Sequence, residues 1–173
     1  MTDSFIEVEL MGVTLLGAVN SPTVLLRGED RILFISIGPF EAAAIGWGLE
    51  EEKPIRPMTH DLIINLLAGL NCTLKSVNIY ALQQSTFFAY LLVEQRDASG
   101  ELTGIIRVDS RPSDSIALAV RAKCPIYVSR AVMEEAGQDI NAIRFGESEV
   151  SFPEDPESDD QEDDDPDDPT ERL

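Results

Sequence analysis

Histidine, lysine and cysteine are all scarce in this chain, and each scarcity closes off a class of chemistry. His60 is the only histidine, which excludes a histidine-rich metal centre. Cys72 and Cys124 are the only cysteines, and neither has a close Cys or His neighbour of the kind a structural zinc site needs, so both read as buried free thiols. Only three lysines accompany ten arginines, without any basic cluster, so the electrostatic footprint of an ordinary duplex binder is missing. No window reaches the ~18 apolar residues of a membrane span, and no basic segment followed by an apolar run opens the chain. The expectation is a cytoplasmic protein without a membrane partner. Phosphate-cradling glycine loops ending in Gly-Lys and Gly-X-Ser-X-Gly nucleophile turns are absent as well.

What is abundant is acid. The formal charge is -19, and residues 147–173 hold fourteen acids and one base, a net of -13. That leaves 18 acids against 12 bases, a net of -6, for residues 1–146. A run such as "PEDPESDDQEDDDPDDPTERL" cannot bury enough apolar surface to offset the entropy of ordering. The chain is therefore expected to divide into one globular domain, 1–146, and an acidic disordered tail, 147–173.

Along the domain, alternation in "FIEVEL" favours a first strand with one wet face, and "TVLLRGEDRILFISIG" reads as a hairpin turning at Gly28 to Asp30. "PFEAAAIGWGLEE" is a helix with Pro39 at its first position, and its small residues Ala42, Ala43, Gly46 and Gly48 suggest close packing on a sheet. "THDLIINLLAGLN" is a second helix, with Thr59 as cap, Asn71 as stop, and Leu62, Leu66, Ile63, Leu67 and Leu70 as its buried stripe. Strands near 73–82, 86–96 and 103–109 form a meander. Pro112 opens a third helix running to about Lys123; "CPIYVS" is a short strand, Ser129 caps a helix ending at Gly137, and "INAIRFG" supplies an edge strand. The aromatic set Phe87, Phe88 and Tyr90, like Trp47, lies inside apolar patterns and reads as core. These elements make an α+β fold: a mixed, largely antiparallel sheet with small-residue helices packed on it.

Two segments share one order. "FISIGPFEAAAIG" and "IRVDSRPSDSIALA" each run strand, Pro, an acid two places later, then a small-residue helix. An internal duplication of this strand-Pro-helix unit, with Glu41 and Asp114 as equivalent acids, is one explanation; repeated use of Pro at helix starts is the other.

"IGPFEA" at 37–42, "RPMTHDL" at 56–62, "VDSRPSDSIALAVRA" at 108–122 and "PIYVS" at 125–129, in that order, resemble the bifunctional nuclease (BFN) domain family. The resemblance covers roughly residues 5–140 and leaves the tail outside. It implies a compact α+β domain and an activity that hydrolyses phosphodiester bonds in DNA, RNA or both. The family's signature positions fall here on Gly38, Glu41, Thr59, His60, Asp61, Asp109, Arg111, Pro112, Ser113 and Asp114, without an agreed assignment of roles among them.

Hydrolysing a phosphodiester requires an activated water and stabilisation of the charge that develops on the phosphoryl oxygens. The residue types present supply candidates. Asp109, Asp114, Glu41 and Asp61 are expected as oxygen ligands of a divalent ion, Mg²⁺ or Mn²⁺, which prefers such donors. Arg111 is expected as phosphate clamp, with Arg107 and Ser113 as further substrate-binding groups, and His60 as proton shuttle beside Asp109, Arg111 and Asp114 in the catalytic set. A structural alternative exists for each acid of a first helical turn, since a carboxylate there gains ~0.3–1 kcal/mol from the helix dipole. The rival function is a non-enzymatic regulatory module binding a small anion or a protein. Nucleic acid is the expected substrate, held weakly at a local arginine site, and an isologous homodimer through an edge strand or the small-residue helix fits either reading.

Overall fold

Turn chemistry fixes most of the element boundaries. The computed structural model describes residues 4–17, 20–50 and 54–143; the acidic tail lies outside them. The order is β1 (Phe5–Leu16), β2 (Ser21–Gly28), β3 (Arg31–Ser36), α1 (Pro39–Leu49), α2 (Thr59–Gly69), β4 (Cys72–Gln83), β5 (Thr86–Arg96), β6 (Leu102–Ser110), α3 (Pro112–Ala122), β7 (Ile126–Ser129), α4 (Arg130–Ala136) and β8 (Gln138–Asp139). Glu29, Asn71, Gln84, Ser85 and Lys123 all take positive φ, and each lies where a strand or helix ends. Pro opens both α1 and α3, where its missing N–H is no loss. Ser129 accepts the Val132 amide at 3.3 Å and caps α4.

The fold is α+β, with one eight-stranded sheet in the order β6-β5-β4-β7-β1-β2-β3-β8. Among the described residues only β4 and β7 pair parallel; the remaining neighbours are antiparallel. Two meanders, β1-β2-β3 and β4-β5-β6, thus flank β7, and each leads directly into a Pro-started helix. Both α1 and α3 have eleven residues with their first acid, Glu41 or Asp114, at the third helical position. One continuous core joins sheet and helices, with Leu26, Leu33, Ile45, Ile79, Ile116 and Val128 at its centre.

Several details depart from the sequence reading. Met58, not Thr59, occupies the N-cap of α2, and the Asp61 carboxylate accepts the Met58 amide at 2.9 Å. Of the expected stripe on α2, Ile63 and Leu67 rest on the core, whereas Leu62, Leu66 and Leu70 are exposed. Helical periodicity offers two apolar stripes there, and the sheet accepts only one. The small residues of α1 admit a neighbouring helix as well as the sheet: Gly48 sits so close to Val120 and Arg121 of α3 that a methyl group would collide with both. Among the described residues the last strand is the two-residue β8, just before "INAIRFG"; residues 144–146 of that expected strand lie outside the described residues. Phe87 packs against the core, but Phe88 and Tyr90 join Tyr80 in an aromatic cluster on the opposite face of the sheet, with Tyr80–Tyr90 centroids 5.6 Å apart.

Candidate functional site

The segment Ser110–Asp114 turns β6 into α3, and its local chemistry spreads its side chains in different directions. Ser110, the last residue of β6, faces α3, where its hydroxyl hydrogen-bonds that of Ser115. Strand side chains alternate, so Asp109 points to the other face. There it lines a shallow cleft of ≈ 510 Å³ with Phe5, Tyr80, Tyr90 and Arg107, whose guanidinium carbon lies 5.1 Å from the centre of the Tyr90 ring. Arg107 and Asp109 are therefore separated by the sheet from the groups that surround α3.

Arg111 occupies the N-cap position of α3, immediately before Pro112. Its Nε donates to Asp114 Oδ2 at 2.8 Å and its Nη2 to Asp114 Oδ1 at 3.3 Å, while Nη1 donates to Glu41 Oε1 at 3.0 Å. One guanidinium thus links the first-turn acids of both Pro-started helices. Both carboxylates raise the Arg111 pKa, Asp114 more than Glu41, so the cation is permanent. Its side chain is 67% exposed, so these ion pairs contribute only about 0–1 kcal/mol to folding; their effect is to fix the position of a charge. His60, from the first turn of α2, hydrogen-bonds Asp114 Oδ1 through Nε2 at 3.3 Å. Glu41, Arg111, Asp114 and His60 therefore form one connected group, drawn from α1, α2 and the β6–α3 joint.

This group stands at a cleft of ≈ 400 Å³ whose wall includes Glu41, Arg111 and Ser113 together with Gly38, Ser36, Ser85 and Thr86. The carboxylate of Glu41 folds over the Cα of Gly38, so a side chain there would have to displace it. Asp114 and His60 lie behind Arg111, outside the cleft wall, and His60 reaches the group through Asp114. The hydroxyls of Ser36, Ser85 and Thr86 were not recognised in the sequence; the "QQS" turn between two strands marks Ser85 as a loop tip but carries no signal that it meets β3 and α3.

Asp61 goes elsewhere. It accepts from Arg121 Nε at 2.7 Å, and Arg121, only 4% exposed, also donates from Nη1 to the carbonyls of Ala44 and Ala117, each at 2.8 Å. This ion pair clamps α2, α1 and α3 together. Arg121 was missed as a site-building residue, although a lone cation inside "SIALAVRA" hinted at a buried partner.

The four carboxylates expected to share a divalent ion do not assemble. Asp109 faces the other side of the sheet, Asp61 is held by Arg121, and Glu41 and Asp114 hold a guanidinium between them. Among the described residues no three His, Cys, Asp or Glu side chains form a group suited to a metal ion. The side chains present thus fit a fixed organic cation, Arg111, better than a shared metal.

A model of the family described as the bifunctional nuclease domain matches residues 24–141, and the chain belongs to that family. Two proteins from strains of Mycobacterium tuberculosis, both named only as uncharacterized, are 44% identical over 133 residues, which is 76% of this chain and 76% of theirs. A rice protein, Bifunctional nuclease 2 of Oryza sativa subsp. japonica, is 27% identical over 119 residues, 67% of this chain and 36% of its own length. No helix among the described residues is long and apolar enough to cross a membrane.

Proposed function

We propose that this chain is a nuclease that hydrolyses phosphodiester bonds in DNA or RNA at the Arg111 cleft. The observation that carries the reading is the exposed Arg111 guanidinium, fixed by Glu41 and Asp114 beside a cleft and coupled through Asp114 to the one histidine. Arginine presents its N–H groups in a rigid fork suited to phosphate oxygens, and donors remain on both Nη atoms after the three hydrogen bonds to the acids are made. A phosphate docked on that outer edge meets charge stabilisation already in place, which costs no reorganisation as the transition state forms. Asp114 and His60 share a hydrogen bond and form the proton-handling pair; in the tautomer with the hydrogen on Nε2, the ring donates to Asp114 Oδ1 and the lone pair lies on Nδ1. The hydroxyls of Ser113, Ser85 and Thr86 offer further hydrogen bonds to sugar and phosphate. Family membership and the name of the rice relative support the same reading.

A second reading keeps the site but removes the reaction: a module that binds a small anion or a protein. The observation favouring it is that Arg111 is already neutralised by two carboxylates. Cleavage of single-stranded RNA and DNA by wild type and Arg111→Ala separates the two. The nuclease reading expects a loss of about 10²–10³ in kcat/KM, the usual consequence of removing one preorganised charge donor. Equal rates in both preparations refute it, and phosphate or mononucleotide binding without turnover supports the module. Arms with Mg²⁺, Mn²⁺ and a chelator report whether a cation takes part.

A further inference from the structure

The strand β6 ends the sheet, and its outer backbone edge pairs with no other strand among the described residues. Seven of its nine residues are exposed, including Leu102 (49%), Ile105 (62%), Ile106 (41%) and Val108 (42%). Ile106 and Val108 lie on one face of the sheet and Ile105 on the other, beside Arg107 and Asp109, so each face of this edge carries exposed apolar surface. Sheets usually guard such an edge with proline, lysine, a bulge or a covering helix, because it is a template for another strand. The pairing of β6 with β5 is irregular only at its start, where Gln95 pairs with Gly104 and Arg96 with Leu102, and is regular from Gly104 to Ser110; along that regular stretch the edge carries two charges, Arg107 and Asp109, and neither proline nor lysine.

The two charges on β6 decide what covers it. Arg107 and Asp109 flank Val108 and share one face. In an antiparallel pair of identical strands turned about a two-fold axis at Val108, Arg107 of each copy stands opposite Asp109 of the other. A single charge near the axis would repel its own copy, whereas opposite charges two residues apart attract. A register centred on Ile106 would set Arg107 against Ile105 and leave both charges unmatched. We propose that two copies of this chain pair antiparallel along β6 about Val108, joining their sheets into one and bringing the two clefts lined by Tyr90, Arg107 and Asp109 together across the axis. Such an interface is isologous, closes on itself, and leaves no further β6 edge to propagate. It stands independently of the nuclease reading.

The test is sedimentation of the full chain through a dilution series at moderate salt, where repulsion between the acidic chains is screened. Wild type is expected as a dimer. Arg107→Asp and Asp109→Arg each oppose like charges and are expected to weaken it about tenfold or more. The double swap, Arg107→Asp with Asp109→Arg, restores complementarity and the dimer. Leu66→Ser, on the exposed face of α2, leaves the dimer unchanged. A monomeric wild type overturns the proposal, as do single variants that stay dimeric, a double swap that fails to restore pairing, or dissociation by Leu66→Ser. Should a charge variant fail to fold by circular dichroism, Val108→Cys decides: a short thiol cross-linker joins two copies in this register, and absence of the linked species refutes it.

Discussion

Replacing Arg121 with methionine tests how the site is supported. The methionine keeps much of the apolar stem but removes the donor to Asp61 at 2.7 Å and those to the carbonyls of Ala44 and Ala117 at 2.8 Å. Breaking a buried ion pair by removing one partner costs about 3–5 kcal/mol. The low end applies, because Asp61 is 23% exposed and retains the Met58 amide, while Ala44 and Ala117 lie within α1 and α3, where the helical amide four residues on is a donor to each carbonyl. At roughly 2–4 °C per kcal/mol for a chain of this size, a loss of about 3 kcal/mol lowers Tm by roughly 10 °C. Asp61→Asn strands the more deeply buried charge, so it should destabilise at least as much. The double variant should recover about 2 kcal/mol relative to the sum of the single changes. Thermal and urea unfolding of the four proteins measure this cycle. A single-variant cost below about 1 kcal/mol, or strict additivity, would show that the pair does not clamp the helices.

Two further outcomes follow from burial. Ile116→Ala, at a side chain with 0% exposure, should cost about 2–5 kcal/mol in urea unfolding, whereas Leu66→Ser, at 60% exposure, should fall within about 0.5 kcal/mol; comparable costs would mean that α2 buries the face described as open. Burial pushes the Cys124 thiol from 9.0 to about 11, so the unfolded chain ionises first as pH rises. The stability this thiol contributes is present below pH 9 and is lost as pH climbs toward about 11, and Cys124→Ala should flatten that part of the stability profile relative to wild type.

Local chemistry was legible in the sequence, and tertiary closure was not. Pro39 and Pro112 at helix starts, Ser129 as a cap and the Glu29–Asp30 turn act over a few residues, so their signals are complete within the sequence. The α+β class followed from them, and the family followed from four linked motifs. Asp109, Arg111 and Asp114 lie close in sequence, yet the strand sets Asp109 on the far face while the helix start turns Arg111 and Asp114 to the near one. The bridge from Arg111 to Glu41 spans 70 positions, and that from Arg121 to Asp61 spans 60. No propensity encodes either. The shared strand-Pro-helix pattern did single out Glu41 and Asp114 together, and the structure joins them through one guanidinium. Leu62 and Leu66 misled for a different reason: helical periodicity records which faces are apolar but not which face the fold covers.

If the chain cleaves phosphodiesters at Arg111, the Asp114–His60 pair handles the protons of that reaction. The most direct measurement is the single-turnover cleavage rate of wild type and His60→Gln on one single-stranded RNA, with the Tm of each preparation recorded alongside. A proton-handling role predicts a rate loss of about 10²–10⁴ while Tm shifts by only a few degrees. Equal rates at equal stability would contradict it and leave the Arg111 cleft as a binding site.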